Sequence, residues 1–171
     1  MAGRAENAVF LNPEANGPAW FPENIAKTSS NEEEIETLAK INTKETATYN
    51  AQDNGNQSIS TGSGTINLEN YAPDALSYKA VVEKAGLVVF SEIYYPKGWK
   101  AFIDGEETPI LRVDYLLRGL VLPEGEHTVE MRFEPSSYYK TKALSITFQY
   151  LIILFLFVGI TLTAKDSMDH E

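Results

Sequence analysis

The chain has 171 residues, a length that suits one domain with an appendage. A formal net charge of −10 and the lack of any basic cluster exclude nucleic acid as a partner, because binding a phosphate backbone needs a Lys/Arg surface. Cysteine is absent, which excludes disulfides and thiolate metal sites.

In chain order, residues 8–11 form a short apolar run broken by Asn12-Pro13, and Ala19-Trp20-Phe21 forms a second before Pro22. A helix is predicted over 31–41. Ser30 or Asn31 serves as N-cap, Glu33 or Glu34 completes a capping box, and Glu32 to Glu34 complement the helix dipole. Ile35, Leu38 and Ala39 supply its apolar stripe. The acidic cluster is thus read as helix capping rather than as a metal site. Residues 50–64 are Asn, Gln, Ser, Thr and Gly with almost nothing apolar, and read as a flexible exposed loop.

From residue 65 the pattern is β. Segments 65–71, 75–82, 87–94, 99–103, 106–111, 116–122 and 128–133 are predicted strands. Asp104-Gly105 is the strongest hairpin signal, since both residues tolerate φ > 0 in a type I′ turn. Pro123-Glu124-Gly125-Glu126 is read as a second hairpin turn. Short strands at regular spacing indicate an antiparallel β-sandwich of jelly-roll-like type, occupying residues 1–139 with the short helix near its N-terminus.

Residues 143–164 carry no charged side chain. At ~1.5 Å per residue this run reaches about 30 Å, the thickness of a bilayer's hydrocarbon core. A transmembrane helix is therefore expected over 140–165, followed by an acidic tail at 166–171. Tyr138, Tyr139 and Tyr150 stand where aromatic rings suit the headgroup region. The N-terminus lacks the apolar core of a signal peptide. Lys140 and Lys142 precede the helix and Lys165 follows it, which by charge alone favours a tail-anchored protein with its domain in the cytoplasm.

Chemistry-bearing residues are sparse. His127 and His170 are the two histidines, which leaves no zinc cluster and no Ser-His-Asp arrangement. No Gly-rich loop joins a strand to a helix, so no nucleotide cofactor is expected, nor any other. Asp104 and Glu106 flank a hairpin tip, where turn formation explains the former better than glycoside hydrolysis does. The remaining signal is aromatic. Tyr94, Tyr95 and Trp99 surround Pro96-Lys97-Gly98, and a ring platform there could stack on a sugar while Lys97 and Arg118 donate hydrogen bonds to hydroxyls. The competing expectation is that Trp99 belongs to the core.

The block Ser91-Glu92-Ile93-Tyr94-Tyr95-Pro96-Lys97-Gly98-Trp99-Lys100-Ala101-Phe102-Ile103-Asp104-Gly105 resembles the C-terminal portion of the YfhO family. Tyr115-Leu116-Leu117-Arg118-Gly119 and Pro123-Glu124-Gly125-Glu126-His127 continue the resemblance, and Asn12-Pro13, Gly17 and Ala19-Trp20-Phe21 extend it upstream. It implies a bacterial multi-spanning membrane protein of the GT-C glycosyltransferase type, which uses lipid-linked sugars to decorate cell-envelope polymers. The C-terminal β domain would then lie outside the cytoplasm, ahead of a last helix in the cell membrane. The spans and the loop that carry catalysis in such enzymes are not in this sequence, so no catalytic residue carries over. Met1 is read as internal, from a fragment or a split gene product. The implied role is a non-catalytic accessory or glycan-binding domain, whose partners are the membrane, the multi-spanning part of its parent and a glycan or lipid-linked sugar. The alternative is a free-standing tail-anchored structural or interaction protein.

Overall fold

The computed structural model describes residue 12, residues 15–54 and residues 58–169, with the α2 side chains described at 141–142, 144–157 and 159. The apolar run at 8–11, Gly55 of the polar loop and His170 lie outside the described residues. Among those described, the chain is mainly β, with two sheets and two helices.

The first half supplies β1 (Ala19–Trp20), β2 (Asn24–Thr28), α1 (Asn31–Leu38) and β3 (Thr46–Asn50). Ser30 is the N-cap, and its hydroxyl accepts from the Glu33 amide at 3.2 Å. Glu33 reaches back to accept from the Ser29 amide at 2.8 Å, so the box closes one residue earlier than its usual form. The helix ends at Leu38, and its apolar stripe does not meet the core. Ile35 is 50% exposed, whereas Glu34 is fully buried. A charged side chain, not an apolar face, docks this helix. Strands β2 and β3 were not legible in the sequence, since Asn24–Thr28 and Thr46–Asn50 lack a period-two apolar pattern.

The second half is β4 (Ser63–Ala72), β5 (Ala75–Lys84), β6 (Gly86–Ile93), β7 (Trp99–Ile103), β8 (Glu106–Thr108), β9 (Leu111–Val113), β10 (Leu117–Leu122), β11 (Gly125–Phe133) and α2 (Ser136–Asp169). One sheet has the order β1-β6-β10-β9-β3-β2, the other β4-β5-β11-β7-β8. The sandwich is not wholly antiparallel, because β2 and β3 run parallel. Asp104 at φ 52° and Gly105 at φ 88° form the expected turn between β7 and β8.

Two expected connections differ. The predicted strand 106–111 breaks at Pro109, which has no N–H to offer a ladder; β8 pairs in one sheet and β9 in the other. The predicted hairpin at 123–126 is a crossing between sheets, since β10 pairs with β6 and β9 while β11 pairs with β5 and β7.

Burial follows from the patterning. Along β5, Leu76, Tyr78, Ala80 and Val82 point inward on alternate positions and meet Val88, Phe90, Leu120, Leu122, Val129 and Met131 between the sheets. Tyr78 packs edge-on against Phe90 at 5.0 Å between ring centroids. In β6 the run Leu87-Val88-Val89-Phe90 is buried on both faces. Leu87 and Val89 join a second cluster with Ala47, Tyr49, Ile59, Leu111 and Val113 on the far side of that sheet.

α2 begins just after β11 and, as Ser136–Asp169, runs beyond the expected span of 140–165 at both ends. Its described apolar side chains are exposed all round, among them Phe148, Ile152, Phe155 and Phe157 at 57%, 60%, 73% and 66%. Among the described residues no helix is long and apolar enough to cross a membrane.

Candidate functional site

The loop between β6 and β7 carries Tyr94, Tyr95, Pro96, Lys97 and Gly98. Two hydrogen bonds and one glycine shape it. The Tyr94 amide donates to the Leu116 carbonyl at 2.6 Å, and the Glu134 amide donates to the Gly98 carbonyl at 2.5 Å. Gly98 has φ 115°, and a Cβ there would lie 2.7 Å from the Phe133 ring, so both backbone and space demand glycine.

Tyr94, Tyr95, Pro96 and Trp99 wall a cleft of about 180 Å³, completed across it by Glu107, Thr108 and Pro109. Tyr95 is 50% exposed, and Trp99 is half-buried. One side of Trp99 packs against the core, and its ring lies 5.5 Å from that of Phe133. Trp99 thus stands both at the edge of the core and in the wall of the cleft. Lys97 is exposed on the loop but does not line the cleft. The cation at the cleft is Lys100, held by Glu107 at 3.1 Å and Glu134 at 3.8 Å.

Arg118 is a correction. It is 3% exposed, its guanidinium lies 3.9 Å from the Trp99 ring centroid, and its Nε donates to the Ile93 carbonyl at 3.0 Å. Burial draws its pKa below the usual arginine value. The side chain supports Trp99 from beneath and is shielded from any sugar hydroxyl. Glu107 and Thr108 were missed by sequence reasoning, because only the β7–β8 hairpin register brings them alongside Ala101 and Phe102.

A larger cavity of about 460 Å³ lies by the β7–β8 turn, lined by Asp104, Glu106, Pro123 and His127 among others. His127 Nδ1 lies 2.6 Å from Asp104 Oδ2, and its Nε2 lies 3.3 Å from the Glu124 carbonyl. The hydrogen bond that His127 donates to Asp104 raises the His127 pKa, and the same bond lowers that of Asp104. Asp104 also accepts from the Thr128 amide at 2.8 Å. With both ring nitrogens facing acceptors, His127 clamps the two turns.

A third polar cluster was not foreseen. Glu34 accepts from Thr48 Oγ1, Arg112 Nη2 and the Tyr115 amide, each at 3.0 Å. Arg112 also pairs with Asp53 and reaches Asn31 at 2.8 Å. Asp114 Oδ1 accepts from the Thr48 amide at 2.7 Å, while its Oδ2 has no hydrogen-bond partner among the described residues. Burial pushes the Asp114 pKa up to about 6, and the neighbouring Glu34 adds to the rise. Asp114 and Tyr115 both adopt positive φ, at 48° and 66°. This knot fixes the strained turn whose next residue, Leu116, holds the Tyr94 loop.

Among the described residues no group of three or more histidines or carboxylates is placed to hold a metal ion. The chain matches no family model, and neither the curated proteins nor the solved structures contain a significant match to it.

Proposed function

We propose that this chain is a non-catalytic, glycan-binding accessory domain, anchored in the cell membrane by α2 with its β-sandwich outside the cytoplasm. The observation that carries the binding role is the cleft walled by Tyr94, Tyr95 and Trp99, faced by Lys100, Glu107 and Thr108. Aromatic faces supply stacking for a sugar ring, and the polar side chains supply hydrogen bonds that fix its orientation. The cleft is small and open, so its ligand is a single sugar unit of a longer glycan or of a lipid-linked donor.

The anchoring role rests on α2. Its described apolar side chains are exposed on every face, and in water such a surface would be covered or would aggregate. A helix in lipid satisfies its backbone internally and needs no such cover. In the sequence, the charge-free run continues on both sides of the described stretch, from residue 143 to residue 164. The likeness to the C-terminal part of YfhO-type membrane proteins favours the same reading, with the multi-spanning part of such a protein as partner and a jelly-roll-like sandwich as the fold.

Titration of the full chain in lipid nanodiscs with cell-wall oligosaccharides and lipid-linked sugars tests the binding role. Tyr95→Ala, at a half-exposed ring, should weaken binding by about fivefold, the equivalent of ~1 kcal/mol for one stacked aromatic. Unchanged affinity in that variant, or no binding by the parent chain, refutes it. The second reading is a tail-anchored interaction protein with its domain inside, favoured by Lys140 and Lys142 ahead of the charge-free run. Protease added to intact spheroplasts separates the two, because only an external domain is digested.

A further inference from the structure

The two ends of the sandwich differ in chemistry, and one of them is tied to α2. Phe133, the last residue of β11, pairs with Trp99, and the next amide, Glu134, donates to the Gly98 carbonyl. The Phe133 amide donates to Asp74 in the β4–β5 turn, and Leu117 pairs with Ile93 beside the 114–116 turn. These turns and the Tyr94 loop therefore share the end from which α2 departs. Of the eight exposed large hydrophobic side chains that precede α2 among the described residues, five stand at this end: Tyr71, Ile93, Tyr95, Leu116 and Phe133. Ile93 and Tyr71 are 67% and 65% exposed. The opposite end carries the Asp104 turn and the acidic cavity with Glu106.

We propose that this apolar end rests on the bilayer surface, with Ile93, Tyr95 and Leu116 inserted at headgroup level. The inference depends on α2 being the membrane anchor. Given that anchor, spacing argues for contact. Ser136 to Lys142 separate the sandwich from the charge-free run, which is about 10 Å of helix at ~1.5 Å per residue. The headgroup region on each side of the hydrocarbon core is roughly 5–8 Å deep. The spacer exceeds that depth by only a few ångströms, a gap that exposed side chains at the sandwich end are long enough to bridge. The composition also fits: tyrosine and a snorkelling Lys97 suit the headgroup layer, where Ile93 and Leu116 add apolar contact. The carboxylates of Asp74 and Glu134 at the same end disfavour anionic phosphates, so the contact is held by apolar insertion rather than by charge. Docking would also hold the Tyr94–Trp99 cleft at the level where the sugar of a lipid-linked donor lies.

The absence of cysteine allows a single label to be placed cleanly in the full chain. Ile93→Cys, Leu116→Cys, Val81→Cys and Phe155→Cys, each carrying an environment-sensitive fluorophore, are reconstituted in phosphatidylethanolamine–phosphatidylglycerol vesicles. Lipids bearing a nitroxide near the headgroup or near the chain end serve as quenchers. The expected result is loss of about half the emission at positions 93 and 116 with the shallow quencher, and little loss at position 81 on the far end. The label at position 155 should respond to the deep quencher. A quenched position 155 with unquenched positions 93 and 116 overturns the docking while leaving the anchor intact. An unquenched position 155 overturns both. Shielding of 93 and 116 from a water-borne quencher without lipid quenching assigns the surface to a protein partner, and overturns the proposal.

Discussion

Removing the Glu34 carboxylate is the sharpest perturbation of how this fold is held. Glu34 is fully buried on α1, and three donors converge on it at 3.0 Å: Thr48 Oγ1, Arg112 Nη2 and the Tyr115 amide. Deleting one partner of a buried ion pair costs about 3–5 kcal/mol, because the other charge is left uncompensated. Arg112 retains Asp53 and Asn31, so Glu34→Ala should cost about 3 kcal/mol, the lower end of that range. Glu34→Gln keeps an acceptor for Thr48 and Tyr115, which both donate to Oε1, but loses the charge and the Arg112 hydrogen bond at Oε2, which sets its cost at about 2 kcal/mol. For a chain of this length 3 kcal/mol corresponds to a Tm drop of about 6–12 °C. Urea unfolding of the full chain in mild detergent, followed by the emission of Trp20 and Trp99, measures both variants. If Glu34 acted only as a first-turn charge on α1, its loss would cost about 0.5 kcal/mol. Losses below ~1 kcal/mol for both variants would refute the buried-anchor argument.

Three further outcomes are expected. Asp114 has a folded pKa of about 6, above its ordinary 3.8, so the native state binds the extra proton between those values and stability falls as pH rises through that window. The span is on the order of 3 kcal/mol, and Asp114→Asn should flatten the slope in urea titrations at stepped pH. His127 should titrate above 6.5 by NMR, and Asp104→Asn should bring it down. The pair's contribution is present below the ordinary histidine value, is lost as pH rises through the raised His127 pKa, and is lost again in acid as Asp104 protonates at its lowered pKa. Trp99→Ala should cost about 3 kcal/mol, because it empties part of the core edge and uncovers Arg118, whereas Trp99→Phe should cost under ~1.5 kcal/mol; equal, small losses in calorimetry would make Trp99 a surface platform only.

Much of this architecture was legible wherever the deciding physics spans a few residues. The Ser30 cap follows from a hydroxyl three positions ahead of an amide. The Asp104-Gly105 turn follows from two residues that accept positive φ. The inward face of β5 follows from strict alternation, and the apolar run after residue 143 needs no partner to be recognised. What escaped was set by contacts distant in sequence. Local patterning reads one strand through Pro109 over 106–111, and only the packing of two sheets assigns β8 to one and β9 to the other. Arg118 reads as a free donor until β10 pairs with β6 and lays it beneath Trp99. Glu34 reads as a helix-cap charge, yet Arg112 and Tyr115, 78 and 81 residues away, draw it inside. A buried charge is stable only where its partners have already been brought together. Local patterning records no such partners, so the tertiary fold alone decided that Glu34, rather than Ile35, holds α1 in place.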